Sequence, residues 1–233
     1  MDAAARNGNR SSQGRRWRRR IGWGAVILIL GYLGLGNLLH LLVFPLPPPD
    51  PETFPRAGDV LSSEIEGFEQ RVLAVEDGWI VSELRLVPGA GGPPQHYHRE
   101  FVEVFPVVQG TLHVELEDRI VEVPAGEVLR IEAGVAHRPF NPTAEPVLVA
   151  GGAKAIPVTF AACLVQMYSM MEETGNGPRM LLQLAVNDPI CDTHLAAVPK
   201  WSESLLRVGL GPLARMAGYR NYYPERALHA PAT

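Results

Sequence analysis

Cysteine is nearly missing: Cys163 and Cys191 are the only two in 233 residues. That count excludes a small scaffold stapled by a disulfide framework. It leaves one bridge in an oxidising compartment or two buried thiols. Internal repeats are lacking, which sets aside solenoids and propellers. Cationic excess is missing from the middle of the chain, where residues 59–150 hold sixteen acids against six arginines. An acidic globular part offers a polyanion no electrostatic footprint, so no nucleic acid partner is expected.

What is present is segregated. Residues 1–20 carry seven arginines against one acid, so the net formal charge of −4 hides a basic tail. Behind it runs "IGWGAVILILGYLGLGNLLHLLVF", residues 21–44, without a formal charge. At about 1.5 Å per residue this stretch reaches roughly 36 Å, enough to cross a hydrocarbon core of about 30 Å with some tilt. Trp17 and Trp23 lie at one end, where amphipathic rings favour an interface, and His40 near the other end reads as an interfacial polar residue. A transmembrane helix over 21–44 is expected. A cleaved signal peptide is the rival, against which stand the length of the run and the lack of a small-x-small site before the prolines. A twin-arginine signal fits "GRRWRRRIG" only in part. Arg15, Arg16, Arg18, Arg19 and Arg20 place the N-terminus in the cytoplasm by the positive-inside rule, sending residues 45–233 across the membrane. The span has no strict G-x-x-x-G, so its glycines say little about helix pairing.

"PLPPPDPETFP" cannot continue a helix and reads as a stiff polyproline-like spacer over 45–58. From 59 to 156 the pattern is short alternating strands with turn punctuation, which predicts a β-sandwich or barrel. In "WIVSELRLV", Ile80, Ser82, Leu84 and Leu86 share a face. In "GTLHVELEDRIVEV", Leu112, Val114 and Leu116 oppose Thr111, His113 and Glu115, and "EDR" turns the chain. After Pro157 the texture becomes helical through 233. "VTFAACLVQMYSMMEE" and a helix opened by Pro178 come first, then a segment in which Pro212 is expected to separate two short helices. That last segment repeats Trp201, Leu205 and Val208 at helical spacing and carries Lys200, Arg207, Arg215, Arg220 and Arg226. It suits packing on the barrel or on a second subunit, or a basic face on a membrane surface.

The chemistry concentrates in "GGPPQHYHREFVEVFPVVQG", residues 91–110. On a strand His96 and His98 share a face and can aim two ring nitrogens at one point. Glu103 has the opposite parity and joins them only across a bend in "REFV"; Glu100 has the right parity and is the rival carboxylate. Downstream, "GEVLRIEAGVAHRPFN" offers His137 behind the turn glycine Gly134. Three imidazoles and a carboxylate suit a divalent first-row ion such as Fe, Mn, Ni, Co or Zn, with positions left open. His113, His194 and His229 are read as separate from this set.

These two stretches resemble the cupin superfamily. Its first motif is a glycine-rich turn, H-x-H, three or four residues, Glu, six residues, Gly. His96, His98, Glu103 and Gly110 fit it, with the leading glycine offset at Gly91 or Gly89. Its second motif matches Gly126, Gly134, His137 and Asn141, with Glu132 in place of the usual proline. The resemblance spans roughly residues 60–155. It implies a mainly β, antiparallel jelly-roll barrel of the RmlC-like kind, with the metal inside it on His96, His98, Glu103 and His137. With the flanking segments this gives one transmembrane helix, the barrel and a short α-helical extension. It also implies a small-molecule ligand or substrate and a homodimer.

Two functions fit. In the first, a metal-dependent oxygenase or isomerase works on a small oxygen-rich or aromatic substrate, with Tyr97, Phe101, Phe105, Arg138 and Phe140 expected around the barrel mouth. In the second, a tethered barrel binds a ligand or partner without turnover. The fold alone does not choose between them.

Overall fold

The computed structural model describes residues 3–43, 48–150, 155–174, 178–186 and 191–229. The predicted end of the apolar run at Phe44 and the start of the spacer at 45–47 lie outside the described residues.

At the N-terminus a helix α1 (Ala3–Gly31), a π-helical turn (Tyr32–Gly36) and α2 (Asn37–Val43) run on from one another. Gly31, Gly34 and Gly36 cluster at the turn, where weak helical preference tolerates the wider winding. The stretch Trp17–Val43 is long and apolar enough to cross a membrane by length and composition, and its apolar window is not buried against the rest of the chain.

The spacer behaves differently from the expectation. Pro51–Thr53 form a 3-10 turn capped by Asp50, whose carboxylate accepts from the Glu52 backbone N–H at 3.0 Å. Thr53 is buried, with its hydroxyl 2.7 Å from that of Tyr222. The described part of the spacer is therefore fastened to the C-terminal segment instead of holding the domain at arm's length.

The central region is antiparallel throughout. Its strands are β1 (Val60–Ser63), β2 (Phe68–Glu76), β3 (Trp79–Leu86), β4 (His96–Tyr97), β5 (Glu103–Gln109), β6 (Thr111–Leu116), β7 (Arg119–Pro124), β8 (Val128–Ile131), β9 (His137–Phe140), β10 (Val147–Ala150) and β11 (Ile156–Pro157). Behind them come α3 (Val158–Thr174), α4 (Pro178–Leu184), β12 (His194–Leu195) and α5 (Lys200–Met216). One sheet orders its strands β1-β2-β3-β10-β5-β8, with β11 also on β3; the other orders β12-β4-β9-β6-β7.

Local chemistry explains the turns. Asp77 and Gly78 both take positive φ between β2 and β3, the requirement of a two-residue hairpin turn that matches strand twist. Period-2 patterning buries one face of each sheet: Leu86, Phe105, Val107, Leu112, Val114 and Val147 meet in the core between them. A second apolar cluster joins one end of the barrel to α3, through Leu61, Val72, Ile80, Phe101, Phe160 and Tyr168.

The C-terminal segment corrects one expectation. Pro212 lies inside a continuous α5 instead of dividing two helices. A proline removes one N–H from the helical ladder and leaves the carbonyl four residues earlier without its donor. Here that carbonyl belongs to Val208, and the Asn37 side-chain amide donates to it at 2.9 Å. The Tyr32 hydroxyl donates to the next carbonyl, Gly209, at 2.7 Å. The N-terminal helical run thus supplies what proline withholds.

Candidate metal centre

The centre is built where the two sheets face one another. His96 on β4 pairs directly across from His137 on β9, so two imidazoles start as cross-strand neighbours. The chain leaves the sheet after Tyr97 and bends at Arg99 and Glu100, carrying His98 past the end of the strand. Glu103 opens β5 in the opposite sheet and points back at the histidines. Parity along one strand therefore did not decide the carboxylate: a break in the strand did. Glu100 is exposed and stays outside the cluster.

The donor atoms of His96, His98, Glu103 and His137 lie within 4.8 Å of one another. One ion bound at about 2.1 Å spans roughly 4.2 Å between opposite ligands, so this spacing is close to what a single ion draws together. Each imidazole is oriented through its Nδ1: His96 to the Pro94 carbonyl at 2.9 Å, His98 to the Asp192 carbonyl at 2.5 Å, His137 to the Val135 carbonyl at 2.9 Å. An Nδ1–H donor frees Nε2 as a lone-pair donor. His137 Nε2 lies 2.7 Å from Glu103 Oε2, and His98 Nε2, at 3.6 Å from the same oxygen, is buried without a hydrogen-bond partner. An orphaned buried nitrogen is costly, and a cation is the partner this donor set suits.

Electrostatics point the same way. Burial, then the neighbouring His137 and His98, lowers the pKa of His96 to about 4 and keeps it neutral. Burial alone would raise Glu103, but the hydrogen bond from His137 and the closeness of the His98 and His137 rings outweigh it and hold the carboxyl below the usual range. Burial likewise opposes charge on His137, and the hydrogen bond to Glu103 reverses the direction and raises it.

Sequence reasoning missed the support from the C-terminal segment. β12 pairs with β4, with His194 opposite Tyr97 and Leu195 opposite His96. The Asp192 carboxylate accepts from the backbone N–H groups of Arg99 and Glu100 at 2.7–2.9 Å, fixing the bend that carries His98. Cys163 of α3 and Cys191 are joined in a disulfide, which ties this strap to the helix above it. Their Cα separation of 5.4 Å is ordinary for a bridge. His194 contacts Asp192 and Glu203 and serves the strap, not the metal set. His113 faces Glu122, and His229 meets Asp59. The one legible signal was the pair of cysteines.

A cavity of about 610 Å³ opens beside His96 and Glu103. Glu66, Gln70, Ser82 and Tyr168 give it polar groups, and Phe160, Leu164, Met167 and Met171 of α3 give it an apolar wall. Gln70 donates to the Ser82 hydroxyl at 2.8 Å. Burial raises the pKa of Glu66 to about 7, and burial with Glu66 and Glu103 nearby raises Tyr168 well above its ordinary value. Of the expected mouth residues, Phe105 lines the cavity, while Phe101 stacks on His98 with ring centroids 4.2 Å apart. Arg138 turns away to Glu115 at 2.7 Å and covers Phe140; Tyr97 stacks on His194.

The second motif works structurally. Asn141 is fully buried and its amide donates to the carbonyls of Val87 and Glu145 at 3.0 and 2.8 Å, holding the loop beside β9. The tight glycine of the first motif is Gly92, next to Gly91 and three residues past Gly89, the two positions expected. It takes positive φ, and a Cβ there would collide with the Pro139 carbonyl.

Two facing antiparallel sheets around a buried set of three imidazoles and one carboxylate define a mainly β jelly roll with a candidate metal centre. Residues 82–150 match the family model described as Cupin domain, which supports the cupin, RmlC-like reading of this region. Among solved structures, KdgF from Halomonas sp. is 21% identical, with 39% of this chain and 82% of that one covered, at a TM-score of 0.35. A cupin-2 domain containing protein from Shewanella frigidimarina is 26% identical over 34% of this chain and 76% of that one, at 0.30. A sugar phosphate isomerase from a cupin superfamily, from Silicibacter pomeroyi, is 25% identical over 44% and 73%, at 0.32. No curated protein matches the chain.

Proposed function

We propose that this chain is a membrane-anchored cupin-domain protein that holds a divalent ion on His96, His98, Glu103 and His137 and acts on a small molecule in the adjoining cavity, as a metal-dependent oxygenase or isomerase. One observation carries the reading: three imidazoles, each oriented through Nδ1 onto a backbone carbonyl, direct their Nε2 atoms toward one carboxylate. When bound, the ion supplies a Lewis acid that polarises an oxygen of the ligand.

The chain's own residues do the rest. Phe101 and Phe160 pack against His98 and keep water from its ring. Gln70 and Ser82 offer hydrogen-bonding groups inside the barrel. The Glu66 carboxyl, with a pKa about 7, can hold or release a proton near neutral pH. The anchor is the run 21–44, with the N-terminus in the cytoplasm and the barrel outside; its support is the uncharged length and the flanking arginines. The disulfide is compatible with that side of the membrane. The domain division proposed is a basic tail to 20, the span, a linker to 58, the barrel to 156 and the helical extension to 233. Pairing of two copies, which the family resemblance implies, is checked by the mass of the purified particle.

The test is metal content of the full chain in lipid nanodiscs, then oxygen uptake and isomerisation assays on diols and catechols. Near one equivalent of metal with turnover supports the enzyme. Metal with ligand-dependent melting shifts but no turnover makes the protein a binding module. Metal retained by the double variant His96→Ala, His98→Ala overturns the ligand assignment.

A further inference from the structure

We infer that the cavity takes an amphiphile: a molecule with one oxygen-donor head and an apolar body of about eight carbons or an equivalent ring system. This deepens the metal-site reading above and rests on it for the head group only. The cavity is two-ended. Most of its polar groups, Glu66, Gln70, Ser82, His96 and Glu103, come from the barrel, with one hydroxyl each added by Tyr168 of α3 and by Thr193. Its other wall is made by Leu164, Met167, Met171, Met180, Leu181 and Leu184, all from α3 and α4 and all outside residues 82–150 that match the family model. Methionine and leucine side chains there have no polar group with which to hold a sugar or a dicarboxylate, and thioethers adapt to irregular apolar shapes. At about 610 Å³ the space has the size of ordinary small-molecule pockets.

The test compares two probes with one head, acetohydroxamate and octanohydroxamate, on the metal-loaded full chain in nanodiscs. Each additional buried methylene adds about a fourfold gain in affinity. Octanohydroxamate is expected to bind at least a hundredfold more tightly than acetohydroxamate. Met167→Trp, which fills the apolar end, is expected to remove at least tenfold of that gain while leaving acetohydroxamate affinity and metal content unchanged. Leu164→Phe is a milder second filling variant should Met167→Trp fold poorly. Equal affinity of the two probes overturns the amphiphile whatever the metal content. Absence of bound metal overturns the metal reading separately.

A different observation carries a second inference: the geometry assigns α5 to the membrane surface, with Trp201, Leu205, Val208 and Met216 facing lipid. These four fall on one stripe of the helix and are 70, 61, 42 and 69% exposed. What covers them is indicated by what α5 is bonded to. Tyr32 and Asn37 of the apolar N-terminal run donate to Gly209 and Val208. Asn37 lies sixteen residues beyond Ile21, where the arginine flank ends. Sixteen residues rise about 24 Å, which sets Asn37 roughly 6 Å below the far face of a 30 Å hydrocarbon core. That is the depth at which interfacial helices lie.

Tryptophan quenching by brominated phosphatidylcholine in nanodiscs tests this on the full chain, taking the difference between the wild type and Trp201→Phe. Strong quenching of the Trp201 component by bromolipid, with little by acrylamide, is expected. Acrylamide quenching without bromolipid quenching overturns it. The signal left in Trp201→Phe comes from Trp17, Trp23 and the barrel residue Trp79, and the further difference on Trp79→Phe isolates Trp17 and Trp23, whose bromolipid quenching reports separately whether the anchor is inserted.

Discussion

The side-chain amide of Asn37 lies 2.9 Å from the carbonyl of Val208, the carbonyl that Pro212 leaves without its helical donor. Two elements 171 residues apart in sequence thus complete one helix between them.

Asn37→Leu removes that hydrogen bond at a cost of about 0.5–1.5 kcal/mol. Hydrogen exchange of the α5 amides is expected to accelerate while exchange in β5 and β6 stays unchanged. Pro212→Ala restores the missing N–H, so the double variant is expected to recover most of the loss; a strictly additive pair of effects would refute the coupling.

Asp192 holds the bend behind His98 through three short backbone contacts. Asp192→Ala keeps every proposed metal donor yet is expected to weaken metal affinity about 10–100-fold, the range for groups that orient ligands. Competition with a chelator of known affinity measures it. His98→Ala, in contrast, is expected to abolish stoichiometric retention.

The Cys163–Cys191 bridge closes a loop of 28 residues. Loop-closure entropy assigns it about 3.5 kcal/mol. Cys163→Ser with Cys191→Ser is expected to lower the urea midpoint by that much stability, and reductant is expected to reproduce the effect in the wild type and to do nothing to the double variant.

Glu66 gives a pH dependence with a definite sign. Its folded pKa is raised from 4.5 to about 7, so between these values the folded state binds more protons than the unfolded. Its contribution to stability is greatest below pH 4.5 and is lost as pH rises through 7. The difference across that window is on the order of 3 kcal/mol. Urea melts of Glu66→Gln at pH 5 and pH 8 are expected to differ by less than those of the wild type, with the variant the more stable at pH 8.

Much of the barrel and all four candidate ligands were legible because strand alternation and fixed motif spacing are local signals. Leu112 and Val114 are buried on the predicted face, and Asn141 sits in a turn the second motif implies. What was not legible depended on contacts far apart in sequence. Motif spacing chose Glu103 over Glu100, but what holds the required bend after Tyr97, the Asp192 carboxylate more than ninety residues on, left no local signal. Pro212 reads as a helix breaker until Asn37 is seen beside Val208. Arg138, adjacent to His137, turned outward because Glu115 on β6 is its cross-strand neighbour.

The strap of Asp192, His194 and the Cys163–Cys191 bridge changes what counts as the smallest working piece of this chain. A graft of the family-matched region alone would transplant all four candidate donors and leave behind their keystone. Engineering that aims to move, shrink or resurface this centre has to carry the last third of the polypeptide with it.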